Sequence, residues 1–326
     1  MEFRQLGRSG LKVSAVGLGC NNFGMTLDEA GTKTVVDAAI DAGITLFDTA
    51  NVYGSPNLGG SETFLGKALG NRRARVLIAT KFGVSMGDSW ELQGGGSRDT
   101  VMRAAEASLK RLGTDYIDLY QIHTPDPTTP IEETLRALDD LVRQGKVRYI
   151  GHSNFAGWQT SDAAWISQIH HLVPFVSAQN RYSVLSRAIE TDLVPACVAH
   201  GVGVLPYFPL ESGLLTGKYK QKAAPPEGTR FAAWAKRGPE LAGRFFSDDK
   251  IAIAEQLGAI AAETGGSTLD LAFGWLLSKP YVPSVIAGAT KPEQIVANIK
   301  AGTWRPNADQ LKRIDALSPP PEKVGF

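Results

Sequence analysis

Eight short apolar runs alternate along the chain with longer segments of helical period. The runs read VSAVGLG (13–19), ITLFDTA (44–50), VLIATKF (76–82), YIDLYQIH (116–123), VRYIGHS (147–153), FVSAQN (175–180), VGVLPY (202–207) and PSVIAGA (283–289). Alternating strands and helices indicate a parallel sheet. Eight repeats favour closure of that sheet into a (β/α)8 barrel, an α/β TIM barrel, over an open doubly wound sheet.

The segments between the runs have the spacing of helices with one buried face. In residues 131–142, for example, apolar side chains recur at every third or fourth position. Glycines such as Gly113 and Gly302 close these segments and suit the left-handed position that ends a helix. Thr129-Pro-Ile-Glu and Thr290-Lys-Pro-Glu match the capping-box pattern and predict two helix starts.

The ends and interruptions of the pattern also carry information. Residues 3–14 predict a β-hairpin with its turn at residues 7–10, which would plug the bottom of the barrel. Residues 82–97 are rich in glycine, and residues 211–248 form a second long irregular stretch. Long loops in a compact barrel are usually binding loops. No linker interrupts the pattern, so we expect one domain over residues 1–326.

Composition argues against several other classes of protein. With 43% hydrophobic residues and a formal net charge of +1, neither a nucleic-acid partner nor an anionic membrane is expected. No apolar run reaches the roughly 18 residues of a membrane span. The charged start MEFRQLGRSG is unlike a signal peptide, and Cys20 and Cys197 lack the spacing of a metal site or a disulfide framework. We expect a cytoplasmic protein with reduced thiols and no metal; oligomeric state is not readable.

Polar residues end three successive runs, where a barrel of this type carries its chemistry. Asp48, Lys81 and His123 stand at these ends, and Tyr53 follows Asp48 by five positions. Neighbouring strands lie about 4.8 Å apart, so the side chains should meet at one rim. Each residue alone could be a turn, packing or core residue, but a lysine inside an apolar strand needs a partner. Together they predict a catalytic group.

Acid–base chemistry follows from this combination. A tyrosine with a pKa of about 10 is a weak acid, and a nearby lysine cation should lower that pKa by stabilising the phenolate. Asp48 would hold Lys81 charged, and His123 would donate to a substrate oxygen or fix its direction. Such a group protonates an oxygen that becomes negative during reaction, as reduction of a carbonyl by hydride requires.

The motifs around these residues carry a family resemblance. LFDTANVYG, TKFG, YIDLYQIH, GHSNF, AQNRYS, YFPLESGLLTGKY and IAGATKPEQIVAN follow one another from about residue 15 to about residue 300. In this order the sequence resembles the aldo-keto reductase superfamily. The resemblance implies reversible, NADPH-dependent reduction of a small aldehyde or ketone, with NADP+ as the oxidised cofactor. It implies that Tyr53 is the general acid, that Lys81 paired with Asp48 tunes it, and that His123 orients the carbonyl.

The resemblance also implies a cofactor site along the later strand ends. The nicotinamide end would meet Ser153, Asn154, Gln179 and Tyr207. The other implied contacts follow the pyrophosphate and the adenosine: Phe208, Leu210, Ser212, Gly213, Leu214, Lys218, Arg230, Gly288, Thr290, Lys291, Gln294 and Asn298. Many members carry a lysine and an arginine where this chain has Gly288 and Gln294. Either Lys291, or Lys218 together with Arg230, is therefore expected to supply the positive charge that selects NADPH over NADH.

Two alternatives to an enzyme of this kind stay open. Some members of the superfamily are regulatory β subunits of ion channels that hold NADPH tightly, although this chain starts without the long N-terminal extension expected of them. A phosphate-binding barrel isomerase would need no nicotinamide. Residues 17–22 lack the third glycine of a Rossmann motif, and residues 213–218 are one residue short of a P-loop. Asn22, Phe23, Phe82 and Trp90 are predicted to line the substrate pocket.

Overall fold

The computed structural model describes residues 1–229, 231–232, 236 and 246–322, and it is a barrel with a hairpin in front. The hairpin strands are β1 (Phe3–Gln5) and β2 (Lys12–Ser14). The barrel strands are β3 (Val16–Gly19), β4 (Leu46–Asp48), β5 (Leu77–Phe82), β6 (Ile117–Ile122), β7 (Val147–Ser153), β8 (Phe175–Arg181), β9 (Gly203–Tyr207) and β10 (Val285–Gly288). Each of the eight predicted runs overlaps one of these strands.

The eight barrel strands are all parallel. From β3 to β9 each strand pairs with the next one along the chain, and β10 pairs with β3. Strand β9 lies against β10, which nearly closes the ring. The prediction of a (β/α)8 barrel is therefore confirmed, and the carboxyl ends of all eight strands open on one face.

Helices lie between the strands and after the last one. Their bounds are α1 (Glu29–Asp41), α2 (Gly60–Leu69), α3 (Arg98–Leu112), α4 (Ile131–Arg143), α5 (Gly157–Ile169), α6 (Leu193–His200), α7 (Asp248–Ala262), α8 (Thr268–Leu277), α9 (Pro292–Ala301) and α10 (Ala308–Leu317). Helix α4 covers the segment whose period predicted it. Its buried stripe includes Leu135 and Leu138, which pack in the core between the barrel and its helices.

The hairpin closes the end of the barrel opposite the strand carboxyl ends. Leu6 and Val13 are fully buried, and they pack with the inward-facing side chains of Leu46, Leu119 and Leu205. The hairpin is antiparallel, with Phe3 opposite Ser14 and Gln5 opposite Lys12. The predicted plug is confirmed, and it gives the lower half of the barrel an apolar filling that excludes water from beneath the site.

Strand β5 shows how the barrel divides polar from apolar side chains. Successive side chains of a strand point to opposite faces, so Ala79 and Lys81 face the barrel interior while Ile78 and Phe82 face the helices. Ile78 and Phe82 accordingly belong to the outer core, and the Phe82 ring packs on that of Tyr120 with 4.7 Å between centroids. The strand therefore delivers one charged side chain into the barrel interior.

The two capping boxes predicted from the sequence are wrong. Helices α4 and α9 begin after Pro130 and Lys291, and neither has a side-chain cap. Thr129 instead donates its hydroxyl to Asp126 at 2.7 Å, and Gln294 accepts from the backbone N–H of Thr290 at 2.7 Å. In both segments the N-cap is the residue after the threonine, Pro130 or Lys291, so the threonine lies one position too early and the matching letters do not produce the matching geometry.

The two long loops follow β5 and β9. Residues 83–97 contain one short 3₁₀ turn, Trp90–Leu92, and the second loop begins with a 3₁₀ segment, Glu211–Thr216. Both cysteines are buried and unpaired. Among the described residues, every helix is too short or too polar to span a bilayer.

Candidate active site

A buried ion pair forms the centre of the site. The Lys81 side chain is fully buried inside the barrel, and its ammonium donates to Asp48 Oδ2 at 2.7 Å and to the carbonyl oxygen of Thr49 at 2.9 Å. Burial by itself lowers the pKa of Lys81, but the charge of Asp48 and the contact with Tyr53 outweigh it. The pKa of Lys81 therefore lies above its ordinary value of 10.5. The ammonium keeps its charge in a site without bulk water.

Tyr53 lies against this ion pair. Its hydroxyl oxygen is 3.5 Å from Lys81 Nζ. Burial raises the pKa of Tyr53 more than the Lys81 cation lowers it, and Asp48 raises it further, so the pKa lies above 10.0. The expected lowering of the Tyr53 pKa is thus wrong for the chain on its own: Lys81 acts in the expected direction, but desolvation of the phenolate is stronger. Tyr53 carries its proton at neutral pH, as a proton donor must.

His123 completes the group as a neutral imidazole. Its ring meets the Tyr53 ring edge to face, with 5.8 Å between centroids and 79° between planes. Burial, with a smaller effect of the Lys81 charge, lowers the pKa of His123 from 6.5 to about 3. Its Nδ1 is buried and has no hydrogen-bond partner in the structure. A neutral ring of this kind can direct a hydrogen bond at a substrate oxygen without carrying a charge.

The residues expected at a nicotinamide end lie together beside this group. The Ser153 hydroxyl donates to the carbonyl oxygen of Gln179 at 2.7 Å, and the Tyr207 hydroxyl donates to Asn154 Oδ1 at 2.8 Å. Asn154 Nδ2 donates to the backbone oxygen of His123 at 2.9 Å, which ties these strand ends to the catalytic group. Gln179 uses its amide nitrogen on Asp48 Oδ1 at 2.7 Å, so its Oε1 is the atom left for a cofactor carboxamide.

The loop after β9 is built from unusual backbone conformations. Phe208, Glu211, Ser212 and Gly213 have φ angles of 53°, 45°, 58° and 101°, all in the left-handed region. Such strain in non-glycine residues clusters at ligand clamps and active sites. The Ser212 hydroxyl is buried without a partner in the structure. The side chain of Leu214 is buried in the core, so only its backbone is available to a ligand.

Lys218 and Ser212 give this loop the chemistry of an anion site. A Cβ added to Gly213 would lie 3.4 Å from Lys218 Nζ, so the ammonium sits directly against the strained segment. The same ammonium is 5.2 Å from the centroid of the Tyr219 ring. An unpartnered hydroxyl and an ammonium beside glycine backbone fit a pyrophosphate, which needs donors and positive charge at close range. Leu210, by contrast, packs against the core.

The residues expected at the adenosine end lie where β10 leads into α9. Gly288 is exposed at the end of β10, and a Cβ there would lie 3.1 Å from Asn22 Nδ2. Gln294 Oε1 accepts from both the backbone N–H and the hydroxyl of Thr290, while Asn298 is buried on α9. Lys291 is exposed immediately before α9. Arg230 lies outside the described residues.

A layer of polar side chains beneath Asp48 is not found by inspecting the sequence. The Ser177 hydroxyl donates to Gln121 Oε1 at 3.1 Å, and Gln121 Nε2 lies 3.5 Å from Asp48 Oδ1. Gly151 on the intervening strand makes room for the pair, because a Cβ there would lie 2.1 Å from Ser177 Oγ. The available signal is that Gln121 and Ser177 are polar residues inside otherwise apolar runs.

An ion pair at the base of the loop after β9 was also missed. Glu211 is almost completely buried despite its charge, and it accepts from Arg181 at the end of β8 and from the Ser183 hydroxyl at 2.7 Å. A buried carboxylate held from two sides fixes one of the residues with a left-handed backbone in this loop. Nothing in the local sequence signals this pairing, because 30 positions separate the two charged residues.

The substrate-pocket residues chosen from the sequence are mostly misplaced. Phe23 and Phe82 are fully buried in the outer core and cannot touch a ligand. Trp90 is exposed, with the Arg103 guanidinium 4.2 Å from its ring centroid. Asn22 is buried beside Gly288, near the end of β10. Phe82 directly follows the inward-facing Lys81, so strand alternation turns it outward, and Phe23 lies beyond the end of β3 and packs in the outer core.

The chain belongs to the aldo/keto reductase family, whose model matches residues 15–319. A protein of Schizosaccharomyces pombe that carries the name of a voltage-gated potassium channel subunit beta is 38% identical over 97% of this chain and 92% of its own length. The uncharacterized oxidoreductase YrpG of Bacillus subtilis is 36% identical over 98% and 97%. The L-glyceraldehyde 3-phosphate reductase of Escherichia coli O157:H7 is 33% identical over 97% and 92%. The family and these relatives support an oxidoreductase as the general class.

Proposed function

We propose that this protein catalyses the reversible, NADPH-dependent reduction of a small aldehyde or ketone to an alcohol. The observation that carries the proposal is the arrangement around Lys81 Nζ, with Asp48 at 2.7 Å, the Tyr53 hydroxyl at 3.5 Å and a neutral His123 beside that hydroxyl. These groups suit an oxygen that gains negative charge during reaction. A cytoplasmic location is proposed with this function, as expected from the sequence.

Each residue has a separate part in the reaction. NADPH, when bound, supplies the hydride that reduces the carbonyl carbon. Tyr53 gives its proton to the carbonyl oxygen, so that an alcohol forms and a phenolate remains. Lys81 stabilises the phenolate, and Asp48 keeps Lys81 charged and in place. His123 donates a hydrogen bond that fixes the direction of the oxygen. In the reverse direction the Tyr53 phenolate accepts the alcohol proton.

The cofactor would be held by the strand ends and loop described above. Ser153, Asn154 and Gln179 would bind the nicotinamide carboxamide, and Tyr207 would pack on the ring. The loop containing Phe208, Leu210, Ser212, Gly213, Leu214 and Lys218 would enclose the pyrophosphate. Gly288, Thr290, Lys291, Gln294 and Asn298 would meet the adenosine end, and Arg230 is proposed with Lys291 as a partner of the 2′-phosphate.

Replacement of the proton donor tests the catalytic role. Tyr53→Phe removes the hydroxyl and leaves the ring, so turnover of a test aldehyde should fall by about 10²-fold or more. NADPH binding, followed by quenching of intrinsic fluorescence, should stay within a few-fold of the unmodified protein. Near-normal turnover in this variant would show that Tyr53 is not the proton donor. Loss of NADPH binding would show that the substitution also disturbs the cofactor site.

Single lysine variants test how the cofactor is recognised. Lys218→Ala should weaken NADPH and NADH equally, by about 10-fold or more, because both cofactors carry the pyrophosphate. Lys291→Ala should weaken NADPH alone, because only NADPH has the 2′-phosphate. Lys220→Ala, an exposed lysine of the same loop, is the control and should change neither. If Lys291→Ala affects both cofactors equally, the 2′-phosphate is read elsewhere.

A second candidate function is an NADPH-binding regulatory subunit with slow turnover. Relatives with the name of a potassium channel subunit beta, at 38% identity or above over more than nine-tenths of this chain, favour it. A multiple-turnover assay with excess NADPH and an aromatic aldehyde separates the two functions. Sustained consumption of NADPH supports the reductase, and one turnover followed by trapped cofactor supports the regulatory subunit.

A further inference from the structure

Helix α5 is inverted relative to an ordinary barrel helix. The residues that it buries fully are Gly157, Thr160, Ala163 and Ser167, all of them small, and Ile166 is partly buried against the core. A helix that only covers a barrel places its large apolar side chains inward and its polar ones outward. Packing of α5 against the barrel therefore does not explain why the helix also carries large apolar side chains on its outer side.

Those large side chains form one outward stripe. Trp158, Trp165 and Ile169 are 70%, 55% and 67% exposed. They are separated by seven and four positions, which places them on one side of the helix over about three turns. Two exposed indole rings on one helix face leave a large apolar area in water, and monomeric proteins rarely do so.

The neighbouring helix α6 extends the stripe into a face. Val198 is 55% exposed, and the Trp165 ring meets His200 edge to face with 6.1 Å between centroids. We define Trp158, Trp165, Ile169 and Val198 as the α5–α6 face. It holds four of the twelve exposed large apolar side chains recorded over the described residues. The others are spread over the rest of the surface.

The face carries few charges: exposed Asp162 lies on the same side of α5, four positions after Trp158 and three before Trp165. The 13 residues of α5 include one charged residue, Asp162, and the 8 residues of α6 include none besides the imidazole of His200. Helix α4, next to α5 around the barrel, carries six charged residues in 13. Charged residues are depleted at the cores of protein interfaces and common on free helical surfaces.

We infer that the α5–α6 face is the contact surface between two copies of this chain. From the exposed fractions, its two indoles and two aliphatic side chains present about 450 Å² of apolar surface. A standard interface takes about 800 Å² from each partner, and homodimer interfaces are about 65% apolar, which is about 520 Å² per partner. The face supplies nearly the apolar area that such a dimer needs.

The charge of the chain and of the face favours a second copy of this chain over a nucleic acid or an anionic membrane as the binding partner. The formal net charge of the chain is +1, so two copies repel each other little. A twofold axis places the same patch on both sides of the contact, and the patch brings one carboxylate from each copy, Asp162, which the contact must keep apart or exposed to water. A nucleic acid or an anionic membrane would need basic residues on the face, and α5 and α6 have no lysine or arginine.

Sedimentation equilibrium of the full chain tests the inference. At micromolar concentration the unmodified protein should show twice the chain mass of 34.9 kDa. Trp158→Glu and Trp165→Glu should each raise the dissociation constant by at least about 30-fold, because central tryptophans dominate interface energies. Val296→Glu is the matched control: Val296 is 64% exposed on α9, across the barrel, and this variant should dimerise normally.

Hydrogen–deuterium exchange of the unmodified protein gives an independent readout. Backbone amides of α5 and α6 should become more protected as the protein concentration rises, while those of α9 should not change. The inference fails if the unmodified protein stays monomeric at every concentration, or if Trp165→Glu dimerises as well as the unmodified protein. It also fails if the face binds phosphatidylcholine vesicles while the protein remains monomeric.

Discussion

At the scale of the residue, the candidate site depends on one ammonium group in an apolar barrel. A buried charge without a partner costs several kcal/mol, so Lys81 requires Asp48, and Asp48 in turn requires donors for its second oxygen. Gln179 supplies one donor at 2.7 Å, and Gln121 lies at 3.5 Å. The roles proposed for Lys81 and Tyr53 thus rest on residues from four strands that only the barrel brings together.

Gly151 provides a test of the polar layer beneath Asp48. In Gly151→Ala the new Cβ would lie 2.1 Å from Ser177 Oγ and 3.2 Å from Gln121 Cγ. The free energy of unfolding should fall by about 1–3 kcal/mol, as for an overpacked core, and urea denaturation measures it. The double variant Gly151→Ala/Ser177→Ala removes the closest atom and should recover part of the loss.

The matched control for this prediction is Gly10→Ala. Its Cβ would meet one atom, at an ordinary distance of 3.8 Å, so stability should hardly change. Equal stability of Gly151→Ala and Gly10→Ala would contradict a tightly filled layer. A double variant less stable than Gly151→Ala would show that the Ser177 hydroxyl contributes more through hydrogen bonding than it costs by crowding.

At the scale of the element, the N-terminal hairpin is a structural part of the barrel and not an appendage. Its two buried side chains fill the end of the tube that the short strands leave open. Local propensity contributes little here, because β1 and β2 have three residues each and an isolated hairpin is marginally stable at best. Packing against the barrel interior therefore determines where the hairpin lies.

Leu6→Ala tests this packing. Leu6 is fully buried among interior side chains, and truncation to alanine should lower the free energy of unfolding by about 2–5 kcal/mol. Phe3→Ala on the same hairpin is the control, since Phe3 is 51% exposed and its truncation should have a small effect. Thermal or urea unfolding measures both. Similar losses in the two variants would mean that the hairpin does not fill the barrel end.

At the scale of the whole molecule, two buried imidazoles make the fold sensitive to acid. Burial lowers the pKa of His152 from 6.5 to about 3, the same value as for His123. His152 is fully buried, stacked on Phe155 with 4.6 Å between ring centroids. Between the unfolded pKa of 6.5 and the folded pKa of about 3, each of these histidines binds a proton in the unfolded chain but not in the folded chain. Falling pH therefore favours unfolding in this window.

His152→Phe should make the protein less sensitive to acid. Each such histidine lowers the free energy of unfolding by up to about 1.4 kcal/mol per pH unit in the window from its unfolded to its folded pKa. The variant should lose one such contribution, measured as the slope of urea-derived stability against pH. The control His171→Asn changes an exposed histidine and should keep the original slope. An unchanged slope in His152→Phe would mean that His152 is protonated equally in both states.

The sequence by itself determined the order and number of the strands and the identity of the residues at their ends. The alternation of β-branched runs with helical periods fixes a parallel barrel, because each run must be buried on both faces. The same pattern identifies Asp48, Lys81 and His123 as polar residues at successive strand ends. Short sequence motifs failed to predict structure where the local geometry depended on adjacent residues, as with the capping boxes predicted at Thr129 and Thr290.

Tertiary structure alone decided which atoms meet and what the surroundings do to them. It pairs Glu211 with Arg181, places Gln121 beneath Asp48 and raises the pKa of Tyr53 instead of lowering it. It also turns the tryptophans of α5 outward. These outcomes depend on distances and desolvation between segments far apart in the chain, and periodicity along one strand or helix carries no information about either.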